Sequence, residues 1–191
     1  MRNFAGHRLN RAVRAFARAD RGATAVEFAL ISLPFMVLMF GVIELMLVFL
    51  VSITLENAVE KASRRIRTGE FQTSAATNKA DFKALVCGGM SWLGGDCADN
   101  LTVDVRTFDN FASLAGNNPL PASSFTEGQT CFSPGEAGDI VLVRAYYRWQ
   151  LITPMLDGAL QNMGGGYRLL SMATAFRNEP FNDNPPGGAA C

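Results

Sequence analysis

The chain has few of the side chains that enzymes use for acid–base chemistry and metal binding. Its 191 residues include one histidine, His7, which precedes Gly22. The chain after Gly22 therefore has no imidazole to act as a general base or a metal ligand. The sequence also has no nucleophile elbow, P-loop or dinucleotide-binding motif. These absences argue against an enzyme, and we expect neither a cofactor nor a metal site.

Clusters of acidic and amide side chains do not change this expectation. They comprise Asp96, Asp99, Asn100, Asp104 and Asp109, and they lack the spacing of a calcium-binding loop. We interpret them as turn residues. Without the segment 1–22, the chain keeps 11 basic and 16 acidic side chains, a net charge of −5. No basic patch suggests binding to nucleic acid.

The segment 1–22 lacks the apolar stretch of a secretory signal peptide, and no small-x-small cleavage site follows the later hydrophobic run. It carries six arginines and one acid, Asp20. A basic flank of this kind is typical of the cytoplasmic end of a membrane-spanning helix. A plain signal anchor would explain the arginines, but it would not explain a glycine placed five positions before a glutamate.

A long apolar run extends from Phe28 to Thr54 and contains one charge, Glu44. About 20 apolar residues suffice to cross the hydrocarbon core of a bilayer. We therefore predict a transmembrane segment over about 28–53, in which Pro34 would kink or locally open the helix. A charge at bilayer depth costs about 2.5–3.5 kcal/mol, which makes Glu27 and Glu44 functional candidates.

The junction before this run resembles the processing site of type IV prepilins. Arg21 and Gly22 are followed by Ala23-Thr24-Ala25-Val26-Glu27-Phe28. The pattern is similar to that of the TadE-like minor pilins, or pseudopilins, of the tight-adherence (Tad) pilus. The resemblance implies that a membrane aspartyl prepilin peptidase cuts between Gly22 and Ala23. It also implies that Glu27 helps to place the subunit in the assembling pilus.

Three further stretches resemble the same family. They are Gly41-Val42-Ile43-Glu44-Leu45, Val143–Trp149 with the following Leu151-Ile152-Thr153-Pro154, and Phe176-Arg177-Asn178-Glu179-Pro180-Phe181. Two interpretations of Glu44 stay open: an interfacial residue that reaches toward the headgroups, or a second assembly residue that contacts a neighbouring subunit. For the last stretch we expect a structural role, in which Arg177 and Glu179 form a salt bridge and Pro180 ends a strand.

The apolar helix is expected to continue beyond the membrane. Leu55, Ala58, Val59, Ala62 and Ile66 recur at helical spacing, and charged residues occupy the opposite face. Thr68-Gly69 is a stop signal. A helix over 23–67 would be about 67 Å long at 1.5 Å per residue. Its outer part needs a soluble domain to cover the apolar stripe, as in the type IV pilin architecture.

The remaining residues predict a small α+β domain. Asn78 is expected to cap a helix that Gly88-Gly89 ends. Alternating apolar residues predict a half-buried strand over 101–106 and further strands over 139–152 and 167–177. These strands would form a small antiparallel sheet with one face against the long helix. The segment 108–138 is rich in Gly, Pro, Asn and Ser and predicts an irregular, exposed loop.

Four cysteines follow the predicted transmembrane segment: Cys87, Cys97, Cys131 and Cys191. The predicted topology places them outside the cytoplasm, where disulfides persist. Three pairings are possible. We prefer Cys87 with Cys97, which closes a short loop, and Cys131 with Cys191, which would tie down the C-terminal tail.

The sequence thus predicts a cleaved basic leader over 1–22, a long helix over 23–69, an extracytoplasmic α+β domain over 70–181 and a flexible tail over 182–191. We interpret the chain as a minor pilin or pseudopilin that takes part in Tad pilus assembly and surface adherence. It would be a single-pass protein of the bacterial inner membrane, with its N-terminus in the cytoplasm and its domain in the periplasm. Its partners would be the prepilin peptidase, other pilins and the assembly platform. The alternatives are an uncleaved, membrane-anchored envelope binding protein that uses the 108–138 loop, and a pseudopilin of a type II-like secretion system.

Overall fold

A computed structural model of the chain describes residues 22–75 and 77–181. The predicted tail, 182–191, and the predicted leader, except for Gly22, lie outside the described residues. The chain divides between Ile43 and Glu44 into two compact units. This division falls inside one continuous helix, α1, which runs from Ala23 to Arg67.

In the first unit, the described residues form the N-terminal part of α1. Its large apolar side chains are exposed, among them Phe28, Leu30, Ile31, Leu33, Phe35 and Leu38. By length and composition, α1 is able to cross a membrane. Because a helix satisfies its own backbone hydrogen bonds, an apolar helix of this kind suits a bilayer. One N-terminal apolar helix fits a single-pass membrane anchor.

The helix α1 ends where the sequence predicts. Gly69 adopts a left-handed conformation with φ of 76° directly after the last turn. A Cβ atom at this position would clash with the ring of Phe181, so the site requires glycine for both space and backbone conformation. Arg64, Arg65 and Arg67 occupy the last turn, where basic side chains interact favourably with the helix dipole.

Among the described residues of the second unit, four shorter α-helices follow: α2 (Glu70–Thr73), α3 (Lys79–Gly89), α4 (Cys97–Asn100) and α5 (Asp157–Leu160). The predicted cap of α3 is confirmed. The amides of Ala80 and Asp81 donate to Oδ1 of Asn78 at 2.8 and 3.0 Å, and the amide of Asn78 donates to Oδ2 of Asp81 at 3.2 Å. This reciprocal pairing is a capping box.

The sheet has three antiparallel strands in the order β1 (Leu101–Phe108), β2 (Ile140–Gln150) and β3 (Tyr167–Arg177). Val143 in the central strand lies opposite Val105 of β1 and Thr174 of β3. Helix α1 together with this sheet confirms the predicted α+β, pilin-like fold.

One hydrophobic core joins the inner face of the sheet to residues 48–66 of α1 and to α3. Its members include Val51, Leu55, Ala58, Val59, Ile66, Phe82, Val86, Val103, Val105, Val143, Ala145, Tyr147 and Leu170. The apolar residues that the sequence places on one face of α1 after Thr54 are buried here. Their burial confirms the sheet-facing stripe of α1.

The outer face of the sheet differs from the prediction. We expected a half-buried β1, but Thr102 and Asp104 are as buried as their apolar neighbours. The segment 108–138 is irregular, as predicted, with short 3₁₀ helices at Phe111–Gly116, Ala122–Ser124 and Glu127–Gln129. It packs on the outer face of β1 and β2, for example through the rings of Phe125 and Tyr146, which lie 5.0 Å apart. The segment is therefore partly a covering layer, although most of its residues between 109 and 130 are exposed, as predicted.

Candidate functional site

The predicted processing site lies at the start of α1. Gly22 is exposed, and a Cβ atom added there would meet no atom within 4 Å. Ala23 is the first residue of the helix. No described residue therefore restricts the side chain at position 22. Cleavage between Gly22 and Ala23 stays a prediction.

Glu27 lies in the exposed part of α1, one turn after Ala23. Within 22–75 and 77–181, the structure gives this carboxylate neither a hydrogen bond nor an ion pair. A charge in an apolar segment is costly unless it is paired. The assembly role of Glu27 stays a prediction.

Glu44, the second acid of the apolar stretch, has the opposite environment. Its side chain is almost fully buried, with 1% of its surface exposed. The backbone amides of Ile152 and Thr153 each donate to Oε2 at 3.0 Å. The Thr153 hydroxyl donates to the same oxygen at 3.1 Å, and Nε1 of Trp149 lies 3.4 Å from Oε1. Four donors of the same chain therefore satisfy Glu44.

This arrangement was not among the two interpretations that the sequence left open. The two ends of the contact, Glu44 and Thr153, are far apart in the sequence, and no local pattern pairs them. The only signal was that Leu151-Ile152-Thr153-Pro154 and the stretch around Glu44 both resemble the same family. The hydrogen bonds give Glu44 a structural role within the subunit. Its role as a second assembly residue stays a prediction.

A buried ionic cluster holds the 108–138 segment over the sheet. Asp104 is fully buried, and its carboxylate accepts from Nε of Arg106 at 3.0 Å and from the amide of Cys131 at 2.8 Å. Nε of Arg144 lies 3.4 Å from Oδ2 of Asp104, which is ion-pair distance, although the geometry is not that of a hydrogen bond. Arg144 also donates to the carbonyl of Asn118 at 2.7 Å and to the side chain of Asn117. The interpretation of Asp104 as a turn residue is therefore wrong.

The stretch Phe176–Phe181, which we call the closing motif, forms other pairs than the sequence predicts. Glu179 forms its ion pair with Arg67 at 3.0 Å, and its amide donates to the Arg67 carbonyl at 2.8 Å. Arg177 instead donates from Nε to the carbonyl of Gly138 at 2.7 Å. The predicted pair between Arg177 and Glu179 is thus wrong, because each of the two side chains meets a different segment. The motif fastens the end of β3 to the end of α1.

The first of the two predicted disulfides, Cys87 with Cys97, is confirmed. Cys87 at the end of α3 and Cys97 at the start of α4 form a disulfide with a Cα–Cα distance of 5.7 Å. Cys191 lies outside the described residues, so the pairing of Cys131 with Cys191 stays a prediction. Within the described residues, no group of acidic, cysteine and histidine side chains could hold a metal ion.

Two side chains of the second unit have shifted pKa values. Burial raises the pKa of the Tyr147 hydroxyl above its ordinary value of 10.0, and the charge of Asp96 adds to this effect. Partial burial lowers the pKa of Lys79, whose ammonium donates to the Thr130 hydroxyl at 2.6 Å, while Asp104 and Glu127 oppose the shift. Both shifts bear on the stability of the domain rather than on the predicted processing site.

Comparison with known proteins agrees with the resemblance seen in the sequence. Residues 22–64 match the family model described as TadE-like protein. No curated protein and no solved structure matches the chain. The TadE-like family is structural and non-enzymatic. The match begins at Gly22 and includes Glu27 and Glu44, so it covers the candidate site itself. The segment of the chain from Gly22 to Arg64 is thus similar to the TadE-like family of pilin-type proteins.

Proposed function

We propose that the chain is a minor pilin or pseudopilin that takes part in the assembly of a Tad-type pilus, and through it in surface adherence. The subunit enters the inner membrane with its arginine-rich end in the cytoplasm and its domain in the periplasm. A prepilin peptidase then cuts between Gly22 and Ala23. Helix α1 stays attached to the domain, and its apolar surface packs against other pilins and the assembly platform.

The observation that carries this proposal is the contrast between the two acids of the apolar stretch. Glu44 is buried and has four donors from its own chain. Glu27 is exposed and has no such partner within the described residues. A subunit that works alone in a membrane has no use for an unsatisfied carboxylate in its apolar helix. A subunit that docks beside others can satisfy it across the interface.

The partner that fits Glu27 is the amine that cleavage creates. Removal of the segment 1–22 would leave Ala23 with a cationic α-amino group at the start of an apolar helix. Pairing this amine with Glu27 of a neighbouring subunit would offset two charges that are each costly in an apolar environment. Cleavage would thus be chemically linked to assembly, because the uncut chain has no amine at this position.

The first test is N-terminal sequencing of the protein extracted from membranes of cells that contain the cognate peptidase. The proposal expects a chain that begins at Ala23. Gly22→Val should leave the full-length chain in the membrane, because a branched side chain crowds the bond that the peptidase cuts, while no described residue lies within 4 Å of the added Cβ atom. An intact Met1 terminus in peptidase-competent cells would contradict processing and favour an uncleaved anchor.

A further inference from the structure

The outward face of α1 changes character near Thr54. From Glu44 to Arg67 the inward face stays buried in the core of the domain. The outward side chains before Thr54 are large, apolar and exposed: Leu45, Met46, Phe49, Leu50 and Ile53. Those after it are charged and exposed: Glu56, Glu60, Lys61, Arg64 and Arg65. Because the inward face is buried along this whole length, the change on the outward face reflects a change in surroundings, from apolar medium to water.

The loop that follows β2 lies beside the apolar part of α1 that begins at Glu44. We call residues Leu151–Leu156 the Glu44 loop, because Glu44 accepts hydrogen bonds from Ile152 and Thr153 in it. The loop has no charged residue. Ile152 is 64% exposed and Met155 is 72% exposed. Scattered apolar residues are common on protein surfaces, but a patch continuous with other exposed apolar side chains marks an interaction surface.

Trp92 lies where the outward face of α1 changes. Its Nε1 donates to the hydroxyl of Thr54 at 3.2 Å, and 48% of the residue is exposed. Tryptophan is enriched at membrane–water interfaces, where its ring contacts apolar groups and its N–H contacts polar ones. The tryptophan and the first outward charge, Glu56, thus mark the same level of the domain.

We propose that the Glu44 loop is a second membrane contact, seated in the outer leaflet below the level of Thr54, with phospholipid as its partner. This inference rests on the membrane insertion of α1, which is part of the proposed function. From Phe28 to Leu55 the sequence carries a single charge, Glu44. A run of about 20 residues crosses the hydrocarbon core, so the apolar surface of this longer stretch continues into the interface.

The same arrangement explains how Glu44 is accommodated. An isolated carboxylate near the hydrocarbon core is costly, and unsatisfied backbone amides there are costly as well. The hydrogen bonds from Ile152 and Thr153 satisfy the carboxylate and the two amides together. The amides of Ile152 and Thr153 and the Thr153 hydroxyl therefore turn inward to Glu44, and the side chains of Ile152 and Met155 are left to contact lipid.

The test uses the full-length protein in vesicles of phosphatidylethanolamine and phosphatidylglycerol. A diazirine-bearing apolar amino acid replaces Met155, and irradiation labels whatever contacts it. Two control positions receive the same amino acid. Leu38 reports on the apolar part of α1, and Phe111 is an exposed apolar residue of the 108–138 segment. Mass spectrometry then distinguishes phospholipid, peptide and water adducts.

We expect phospholipid adducts at positions 155 and 38 and water adducts at position 111. Phospholipid at 38 with water at 155 would overturn this inference and leave membrane insertion intact. A peptide of a second copy at 155 would overturn it as well, since the surface would then be an interface between subunits. Water at both 38 and 155 would overturn the inference together with the proposed membrane insertion. Phospholipid at all three positions would also count against it, because the label would not be specific to the loop.

Discussion

Glu44 on α1 and Thr153 after β2 form a two-point contact, in which the amide and the hydroxyl of Thr153 donate to Glu44 Oε2 at 3.0 and 3.1 Å. The contact joins α1 to the loop that leaves the central strand of the sheet. The same oxygen also accepts from Ile152, so one buried carboxylate orders the start of this loop. Removal of the Glu44 carboxylate should lower the stability of the domain.

Glu44→Gln should lower the free energy of unfolding by about 1–3 kcal/mol, because the amide replaces one acceptor oxygen with a donor and leaves a buried partner unsatisfied. The measurement is chemical unfolding of the detergent-solubilised protein. Glu56→Gln is the matched control, since Glu56 is an exposed acid on the same helix. Equal stability of both variants and the parent would show that the Glu44 contacts contribute nothing. Glu44→Gln is also unsuitable as a control for assembly, because it disturbs the subunit itself.

Asp104→Asn should be the more damaging change. Asp104 is fully buried beside Arg144 and accepts from Arg106 and Cys131. Removal of one partner of a buried ion pair typically costs about 3–5 kcal/mol, because the other charge remains uncompensated. The 108–138 segment should also become more accessible to protease, since Asp104 helps to hold it. Asp109→Asn changes an exposed acid just beyond β1 and should leave both properties unchanged. If Asp104→Asn and Asp109→Asn have the same stability and the same protease sensitivity, Asp104 does not have this structural role.

Alkaline pH should destabilise the domain through Tyr147. Burial raises the pKa of Tyr147 in the folded state, so the unfolded chain loses this proton first as the pH rises above 10.0. The contribution of Tyr147 to the free energy of unfolding is therefore fully present below pH 10.0 and is lost as the pH rises above this value. Tyr147→Phe should therefore reduce the fall in melting temperature on the alkaline side. Lys79 acts in the opposite direction, because its lowered pKa makes stability rise with pH below 10.5. If the melting temperature of Tyr147→Phe falls at alkaline pH as steeply as that of the parent, Tyr147 is not the cause of the alkaline destabilisation.

The sequence predicted the features that depend on local chemistry. The apolar run, the stop at Gly69, the Asn78 cap and the alternation in β3 each follow from residues close together in the chain, and all are present in the structure. The short loop between Cys87 and Cys97 made their disulfide the natural choice. Each of these features depends on a few neighbouring residues, which makes them visible in a single sequence.

The features that were missed depend on contacts between distant segments. Nothing near Asp104 indicates that the 108–138 segment folds back over it, and alternation alone therefore suggested an exposed outer face for β1. Glu179 lies close to Arg177 in the motif, but its partner is Arg67, at the far end of α1. Glu44 likewise has donors only because β2 ends beside it. A charge at an apolar position shows that a partner is needed, but not which segment supplies it.

The central claim is that Glu27 acts between subunits, and Glu27→Gln tests it most directly. The variant keeps the length of the side chain and removes its charge, so insertion and cleavage after Gly22 should persist. The amide cannot neutralise the α-amine of a neighbouring Ala23, and the unpaired amine should cost about 3–5 kcal/mol in the assembled state. Glu56→Gln is again the control, as an exposed acid of α1 outside the apolar stretch.

Two quantities are measured: co-purification of the cleaved subunit with the other pilus components, and attachment of the cells to a surface. The account predicts that Glu27→Gln is cleaved and inserted like the parent but is depleted from the complex, with attachment reduced, while Glu56→Gln is normal in all respects. A Glu27→Gln subunit that is cleaved, inserted and recovered at the parental level, in cells that attach normally, would contradict the assembly role of Glu27.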